Sequence, residues 1–404
     1  MLFSLKRTIT IMVCACSVTS GAAIAAAPDA QTTPAPPAVT ANSFSAVSPP
    51  ESRDYLWLSV KGSDIVTSRK SKGGEQRFIP VGIGYARDVI LRAQDEEMMQ
   101  YCNSHFLNTV RLPFYTNRFN GRLDRPIDID QHISGFIDPV VQSGIKNHVY
   151  VLLDDHEYFH QTIEEDKARG TQTSAVWDEK TVNQWIDRWV KVATRYKDEP
   201  NILGYELCNE PNGIPAETVR DWYTRCLKAI RKVDTRHIIF VGTADWSHSR
   251  AMEKTWGPVA KSVDAPYNNI VFAFHDYPTD NHPWIVHKHV TAFRDKYNVP
   301  VMCTEFGASW WDHDETTCRE FESGMMAVFA KENVGWMVWA VKTFGDNPRN
   351  PTPPPFNKGD DKAEYYKRVK ALGPFDSCAY TDIWVPTAHI MASTFPEPAS
   401  APKK

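Results

Sequence analysis

Two glutamates stand at points of the chain where a buried strand would end. Glu210 lies in GYELCNEPNG (204–213) and Glu305 lies in VPVMCTEF (299–306). A carboxylate next to apolar strand residues is costly unless it is solvated, paired or used. The cleavage of a glycosidic bond uses two facing carboxyl groups, because one protonates the leaving oxygen while the other meets the positive centre that forms. This chemistry requires a fold that brings the two side chains together.

Other polar and aromatic side chains follow the remaining strand-like stretches. They are Arg111 in RLPF, Asp155, His156 and Tyr158 in DDHEY, Asn209, His275 and Tyr277, and Trp339, whose flat face could lie beneath a sugar. Each one alone has an ordinary structural explanation, such as an ion pair, a hydrogen-bonded histidine or a core tryptophan. Their joint occurrence at the ends of successive strands is not explained in that way.

The neighbouring residues predict different roles for the two glutamates. A cation such as Arg111 and a phenol such as Tyr277 would keep Glu305 ionised as a nucleophile. Glu210, which has less compensation, would stay protonated as the acid and would later act as the base. Glu206 is a rival acid on the same strand. We expect Glu206 to be the more buried and structurally bonded of the two, because it lies within the strand.

The elements that must position these groups alternate along the chain. Eight β-branched or apolar stretches have the length of strands, and they cover residues 77–83, 108–114, 148–153, 201–207, 237–242, 269–274, 299–306 and 335–341. Amphipathic stretches lie between most of them, most clearly at 179–200, 215–233, 284–297 and 316–333. The stretch after the fifth strand, TADWSHSRAMEKTW, is the poorest helix candidate.

This alternation predicts an α/β fold, a single (β/α)8 TIM barrel with its chemistry at the carboxyl ends of the strands. The residues ahead of the first strand predict a small N-terminal β-hairpin that closes the bottom of the barrel. A doubly wound open sheet is the structural alternative. The sequence has no G-x-G-x-x-G turn after the first strand, which speaks against that alternative.

The strand-end residues also occur in the order typical of glycoside hydrolase family 5, the cellulase family of retaining (β/α)8 enzymes, which the chain resembles from about residue 78 to 342. The matching residues are Arg111 in RLP, His156, Asn209-Glu210-Pro211, His275-x-Tyr277, Glu305 in TEFG, and Trp339. The resemblance implies that Glu210 is the acid/base and that Glu305 is the nucleophile.

The same resemblance implies roles for the neighbouring groups. Asn209 would contact the sugar 2-hydroxyl, Arg111 and Tyr277 would orient the nucleophile, and Trp339 would stack at the cleavage subsite. His156 and His275 would complete the substrate-binding set. The chain departs from the family after the third strand, where DDHEY replaces the common His-Asn dipeptide. The role of Glu157 is therefore open.

The first expectation for the activity is an endo-β-1,4-glucanase that acts by double displacement, with β-1,4-mannanase or another β-glucanase next. The alternatives of other classes are a non-catalytic carbohydrate-binding barrel and a metal-dependent hydrolase that uses DDHEY and the histidine-rich stretch 275–289. His287 and His289 are two residues apart on a predicted helix and do not share a face. We expect no metal and no cofactor. Candidates for sugar stacking in the cleft are Trp246, Trp284, Trp310 and Trp311.

Both ends of the chain have the composition of segments outside the folded domain. Residues 1–25 predict a signal peptide with a basic start, a short apolar core and a small-x-small cleavage pattern. Residues 26–53 predict a Pro/Ala/Ser/Thr-rich disordered linker and residues 389–404 a disordered tail. The catalytic domain would then span 54–388. We therefore expect secretion to the extracellular space or periplasm and no membrane-spanning segment.

Charge and cysteine content bear on the partners and on cross-linking. The formal net charge of −4 gives no general attraction to nucleic acid or anionic membranes. Cys208 and Cys303 predict buried thiols in central strands, and Cys318 with Cys378 is a candidate disulfide. We expect a monomer whose partner is a polysaccharide or oligosaccharide substrate.

Overall fold

A computed structural model of the chain describes residues 57–67, 75–87, 94–115, 128–157, 178–278, 282–307, 315–341 and 380–392. The predicted signal peptide and linker lie outside these residues, and so do Tyr158, Trp310, Trp311 and Cys378. Those predictions, and the disulfide that involves Cys378, therefore stay predictions.

Eight parallel strands form a closed barrel in which each strand pairs with the next along the chain and the last pairs with the first. They are β3 (Val81–Tyr85), β4 (Thr109–Phe114), β5 (Tyr150–Asp155), β6 (Ile202–Glu206), β7 (Ile238–Val241), β8 (Ile270–Asp276), β9 (Val301–Phe306) and β10 (Gly335–Val341). The predicted barrel is thus confirmed. The strands read as nearly continuous apolar runs because both of their faces are covered.

Strand alternation decides which side chains reach the barrel axis. On β5, Val151 and Leu153 pack in the layer beneath the helices, whereas Tyr150 and Leu152 pack inside the barrel. Since side chains alternate along a strand, Asp154 continues the inward row and Asp155 continues the outward one.

The predicted N-terminal hairpin is present ahead of the barrel. β1 (Leu58–Lys61) pairs antiparallel with β2 (Asp64–Thr67). The backbone N–H of Val60 donates a 2.8 Å hydrogen bond to Oδ1 of Asn269, the residue before β8. Leu58 and Ile65 join the apolar cluster inside the barrel. The hairpin therefore closes the end of the barrel at which the strands begin.

Helices cover the outside of the barrel between the strands. They are α1 (Asp95–Ser104), α2 (Ile129–His132) and α3 (Asp138–Asn147) joined by a π-helical turn (Ile133–Ile137), α4 (Glu179–Tyr196), α5 (Ala216–Arg231), α6 (Met252–Trp256) after a 3-10 turn (Ser249–Ala251), α7 (Pro283–Tyr297), α8 (Glu315–Glu332) and α9 (Thr381–Ala392). The short α6 agrees with the weak helical pattern of its sequence. None of the helices in the described residues combines the length and apolar character that spanning a membrane requires.

Two tryptophans of α4 fix the chain just before Glu210. Trp185 and Trp189 are fully buried. Their indole N–H groups both donate to the carbonyl oxygen of Leu207, at 3.2 and 3.0 Å. The apolar face of this amphipathic helix thus also satisfies a backbone group at the end of β6, where a strand hydrogen bond is no longer available.

Helix α9 crosses the predicted boundary between the folded domain and the tail at residue 389. Helix α9 continues to Ala392, and Met391 is buried. The indole N–H of Trp336 on β10 donates to Sδ of Met391 at 3.2 Å. Packing of this last turn against the barrel extends the folded domain past residue 388, which the polar and Pro-rich composition of the following residues concealed.

The cysteines of the described residues are core groups. Cys208 and Cys303 are fully buried thiols, as predicted, and Cys102 and Cys226 share this state. Burial raises the pKa of each of these thiols, which makes them poor nucleophiles.

Candidate active site

Glu305 lies at the end of β9 and is held at both of its oxygens. The guanidinium Nη1 of Arg111 donates to Oε2 at 2.7 Å, and the hydroxyl of Tyr277 donates to Oε1 at 2.8 Å. Burial alone would raise the pKa of Glu305, but the charges of His275 and Arg111 and the Tyr277 hydrogen bond outweigh it, and the pKa is lowered. An ionised, oriented carboxylate of this kind is suited to nucleophilic attack.

Arg111 of β4 is fully buried and joins four acceptors around the barrel axis. Besides Glu305, it donates from Nε to Oε2 of Glu206 at 2.7 Å and from Nη2 to Oδ1 of Asn209 at 2.7 Å. Nη2 also lies 3.0 Å from Oδ2 of Asp154. A planar guanidinium can serve several acceptors in fixed directions, so Arg111 sets the relative positions of these side chains.

Glu210 follows β6 in a backbone segment that is pinned on both sides. The N–H of Asn209 donates to the carbonyl of Asp155 at 2.9 Å, and the N–H of Glu210 donates to the carbonyl of Glu157 at 3.3 Å. Ser247 donates from Oγ to the carbonyl of Asn209 at 2.9 Å. The residues after β5 thus hold the residues after β6 in position through backbone hydrogen bonds. Glu157, which is fully buried, contributes through its carbonyl group.

The side chain of Glu210 is more open than that of Glu305. It is 13% exposed, and its Oε1 lies 2.9 Å from Nδ1 of His275. One oxygen of Glu210 and one oxygen of Glu305 lie within 4.8 Å of each other. The two carboxylates predicted to face each other are therefore brought together, one with two strong donors and the other with one.

His275 of β8 sits between the two catalytic candidates and carries hydrogen bonds at both ring nitrogens. Nδ1 faces Glu210, and Nε2 lies 3.0 Å from Oγ1 of Thr304. Burial would lower the pKa of His275, but the charge of Glu305 and the hydrogen bonds to Glu206 and Glu210 raise it to about 10. The imidazole is thus held as a cation at neutral pH.

His156 and Trp339 form a stacked pair of aromatic rings beside the carboxylates. Nδ1 of His156 lies 2.7 Å from Oδ2 of Asp154. The two rings stack with centroids 5.0 Å apart and planes 9° apart. Gly84 permits this packing, because a Cβ there would lie 2.7 Å from Cε3 of Trp339. A half-buried flat indole next to polar donors is suited to one face of a sugar ring.

Glu206 lies deeper than Glu210, as its place within the strand predicts. Its side chain is 1% exposed and accepts hydrogen bonds from Arg111 and from Oγ1 of Thr304, the latter at 2.5 Å. Burial would raise its pKa, but Arg111 and His275 lower it to about 2. Glu206 is therefore a buried anion, out of reach of a substrate.

Two members of this network are absent from the residues predicted by sequence, and one predicted member does not belong to it. Asp154 and Thr304 contact the site, whereas Asp155 turns outward and accepts a 2.9 Å hydrogen bond from Trp185 of α4. The alternation along β5, counted back from His156, is the signal that separates Asp154 from Asp155. Thr304 follows from the same count on β9, where Met302 faces the barrel interior.

A metal ion could find donors in this cluster, since one atom each of Glu210, His275 and Glu305 lies within 4.8 Å of the others. A ligating imidazole must offer a bare nitrogen, whereas both ring nitrogens of His275 already have protein partners, Glu210 and Thr304. In the histidine-rich stretch, Nε2 of His287 pairs with Glu332 at 2.8 Å. The expected absence of a metal stays a prediction.

The remaining tryptophan candidates lie at the rim or outside the described residues. Trp284 begins α7 and is 66% exposed, at the end of the barrel that carries the carboxylates. The N–H of Trp246 donates to the carbonyl of Pro211 at 3.0 Å, which places it beside the Glu210 segment. Sugar stacking by either ring stays a prediction.

Comparison with known proteins gives a consistent family. The family model described as cellulase (glycosyl hydrolase family 5) matches residues 73–345. Endoglucanase E-5 of Thermobifida fusca is 29% identical over 190 residues, which are 45% of this chain and 39% of that protein. A β-xylosidase of Phanerodontia chrysosporium is 26% identical over 278 residues, 59% of this chain and 54% of that protein. The chain thus spans about half the length of these relatives or less.

Solved structures support the fold independently. The structure of XacCel5A in complex with cellopentaose matches with a TM-score of 0.54 and 19% identity, over 78% of this chain and 99% of that one. At this identity the likeness concerns the barrel architecture.

Proposed function

Because the chain belongs to glycosyl hydrolase family 5, we propose that it hydrolyses β-1,4-glucan as an endoglucanase, by double displacement and with retention of anomeric configuration. The observation that carries the proposal is the pair Glu210 and Glu305. One oxygen of each carboxylate lies within 4.8 Å of one oxygen of the other, and Glu305 is held by two hydrogen-bond donors whereas Glu210 is held by one. Retaining glycosidases have carboxyl groups about 5–5.5 Å apart, whereas inverting enzymes need about 6.5–9.5 Å to admit a water molecule.

In the first step of the proposed mechanism, Glu305 attacks the anomeric carbon while Glu210 protonates the leaving oxygen. Arg111 and Tyr277 hold the attacking carboxylate in position, so little reorientation is needed in the transition state. His275 occupies one oxygen of Glu210 and leaves the other oxygen for the proton that is transferred. In the second step Glu210, now a carboxylate, takes a proton from the water that cleaves the glycosyl-enzyme.

The binding roles follow from the same arrangement. Asn209, fixed through its backbone and by Arg111, would contact the sugar 2-hydroxyl. The part of the Trp339 face that His156 does not cover would form the floor on which the sugar ring rests, with the protein donors at its edge. These roles agree with those that the family resemblance implies for the same residues.

The choice of β-1,4-glucan rests on the relatives. One matching protein is named an endoglucanase, and one matching structure contains cellopentaose. β-1,4-Mannan or another β-glucan is the second candidate, since the name β-xylosidase of a further relative indicates that the substrate differs among proteins similar to this one. A non-catalytic carbohydrate-binding barrel is disfavoured because both glutamates and their partners are in place.

We also propose that the protein acts outside the cytoplasm. The support is the basic and apolar start of the chain followed by Ala23-Ile24-Ala25. N-terminal sequencing of the protein recovered from culture medium or periplasm would test this, with Ala26 expected as the first residue. A first residue at Met1 in that fraction would contradict it.

The activity is tested by release of reducing sugar from carboxymethylcellulose, barley glucan, laminarin, glucomannan and galactomannan. Wild type, Glu305→Gln and Glu217→Gln are compared, the last as a control on the exposed face of α5. We expect activity on carboxymethylcellulose and barley glucan, loss of about 10⁴-fold or more in Glu305→Gln, and none in the control. Activity on glucomannan and galactomannan alone would mean that the substrate is β-mannan instead of β-1,4-glucan. Inactivity of the folded wild type on all five polysaccharides would overturn the proposal.

A further inference from the structure

Glu206 lies behind both catalytic candidates and touches a partner of each one. Its Oε2 accepts from Nε of Arg111 at 2.7 Å, and Arg111 holds Glu305. Its Oε1 accepts from Oγ1 of Thr304 at 2.5 Å. Nε2 of His275, which holds Glu210, lies 3.0 Å from that hydroxyl oxygen and 3.4 Å from Oε1 of Glu206 itself. A fully buried carboxylate is costly unless its interactions are specific, and these contacts link it to the two halves of the site.

The direction of the hydrogen bonds through Thr304 can be assigned. Glu206 accepts from Arg111 and is therefore ionised, so it cannot donate. The single hydroxyl hydrogen of Thr304 then points to Glu206. The Thr304 oxygen is left as an acceptor toward Nε2 of His275, at 3.0 Å, which requires a hydrogen on Nε2.

The other nitrogen of the same ring faces Glu210 at 2.9 Å. If Nδ1 also carries a hydrogen, it occupies Oε1 of Glu210 as a donor, and the acidic proton of Glu210 stays on Oε2. If Nδ1 were bare, it would accept the acidic proton of Glu210 and withhold it from the leaving group. Thr304 fixes only the hydrogen on Nε2. The negative charge of Glu206 favours the second hydrogen on Nδ1 by stabilising the imidazolium, and that second hydrogen decides on which oxygen Glu210 carries its proton.

We propose that Glu206 is a positioning residue for the acid/base step, which acts through Thr304 and through its negative charge to keep His275 doubly protonated and the proton of Glu210 directed at the leaving group. This inference rests on the proposed function and adds a residue to it that the acid/base and nucleophile assignment does not contain.

The charged groups around His275 give the proposal a pH signature. The groups that face His275 are Glu206 at the end of β6, Glu210 after β6, Glu305 of β9 and Asp154 of β5. Arg111 lies beyond Glu206. Activity at alkaline pH ends when His275 loses the hydrogen on Nδ1, because the bare nitrogen then withholds the proton of Glu210 from the leaving group. Removal of the negative charge of Glu206 makes the hydrogen on Nδ1 easier to lose. The alkaline limb of the pH profile, where kcat/KM falls as pH rises, must then move to lower pH.

The test measures kcat/KM against pH for aryl β-cellotriosides whose phenols differ in acidity. Wild type is compared with Glu206→Gln and with Thr304→Val, which removes the hydroxyl between Glu206 and His275. Thr304→Val keeps the ion pair of Glu206 with Arg111 and its longer 3.4 Å contact with Nε2 of His275. Thr304→Ser retains the hydroxyl and serves as the conservative partner of Thr304→Val. Thermal unfolding of each variant confirms that the measured protein is folded.

We expect the alkaline limb to move to lower pH in Glu206→Gln and in Thr304→Val, and to return toward the wild-type position in Thr304→Ser. At pH 7 the loss in kcat/KM should be about 100-fold in Glu206→Gln and about tenfold in Thr304→Val for the least acidic phenol. For Thr304→Val the loss should nearly vanish with dinitrophenol, which leaves without a proton.

Two results would overturn the inference. An alkaline limb that stays in place in folded Thr304→Val would show that Glu206 does not act through Thr304. An equal loss of kcat/KM in Thr304→Val for all leaving phenols would mean that the change acts on the attack by Glu305 or on packing, and not on proton transfer from Glu210. Failure of the proposed function is distinguishable, because the wild type itself would then not cleave the cellotriosides.

Discussion

The interior of the barrel has two halves of opposite character, although the same strands build both. Toward the start of the strands the axis is filled by apolar side chains, among them Leu152, Leu203, Val271 and Met302. Toward the end of the strands, the axis is filled by Arg111, Asp154, Glu206, His275 and Glu305. Side chains of a TIM barrel pack in such layers.

The difference shows that separate layers of the barrel interior provide the stability of the fold and the groups of the candidate active site. The apolar layers lower the free energy of the folded state by burial, whereas the charged layer is favourable only while each of its groups keeps its partners. Loss of one member should therefore have different consequences in the two halves. In the apolar half it should cost stability alone, and in the charged half it should cost catalysis as well.

The largest effect is expected from Arg111→Met. This change leaves three carboxylates without their shared cation, so we expect a loss of about 3–5 kcal/mol in the free energy of unfolding and a loss of activity of at least about 10³-fold. Urea unfolding and kcat/KM are the measurements. Arg225→Met is the control, because its ion pair with Glu179 is exposed and worth about 0–1 kcal/mol. Activity within tenfold of wild type would contradict the central place of Arg111.

In the apolar half, Leu152→Ala should reduce the free energy of unfolding by about 2–5 kcal/mol, because it leaves a cavity among side chains that cannot collapse. Leu152 is fully buried in the barrel interior and lies two residues before Asp154. We expect kcat/KM of the folded variant at 25 °C to stay within about threefold of wild type. A loss of activity as large as that in the charged half would remove the distinction between the two layers.

The pH dependence of stability sharpens the comparison. The pKa of His275 is raised to about 10 from an ordinary value of 6.5, so its proton stabilises the folded state. That contribution is complete below pH 6.5 and is lost as pH rises toward 10. Urea unfolding of wild type should thus show a free energy that falls between pH 7 and pH 9. His275→Gln should show a flatter curve over the same range, and parallel curves would contradict the assignment.

The smallest effect is expected at the edge of the charged half. Gly84→Ala would place a Cβ 2.7 Å from Cε3 of Trp339, so the indole must shift. We expect KM to rise by about tenfold with little change in kcat, because the ring is proposed to support the substrate and not to touch the reacting atoms. Gly135→Ala is the matched control, because a Cβ there meets nothing within 4 Å. An unchanged KM in Gly84→Ala would argue against Trp339 as the floor of the site.

Much of this arrangement could be predicted from the sequence, because apolar runs and strand-end polar residues are local signals. The eight strands, the hairpin and the pairing of Glu305 with Arg111 and Tyr277 belong to this group. The buried support of the site could not be predicted in the same way. Thr304 and Asp154 are ordinary residue types within apolar strands, and only the register of the strands reveals that they face the axis. The packing of the last turn of α9 has no local signal either, because its contact, Trp336 with Met391, joins residues that are 55 positions apart.

The most direct test of the paired glutamates is the anomeric configuration of the first product, followed by ¹H NMR during hydrolysis of a soluble β-glucan oligosaccharide by the wild type. Double displacement through Glu305 and Glu210 predicts that the β-anomer appears first and that the α-anomer grows later by mutarotation. Initial release of the α-anomer would mean inversion, and the assignment of Glu305 as nucleophile would then be wrong.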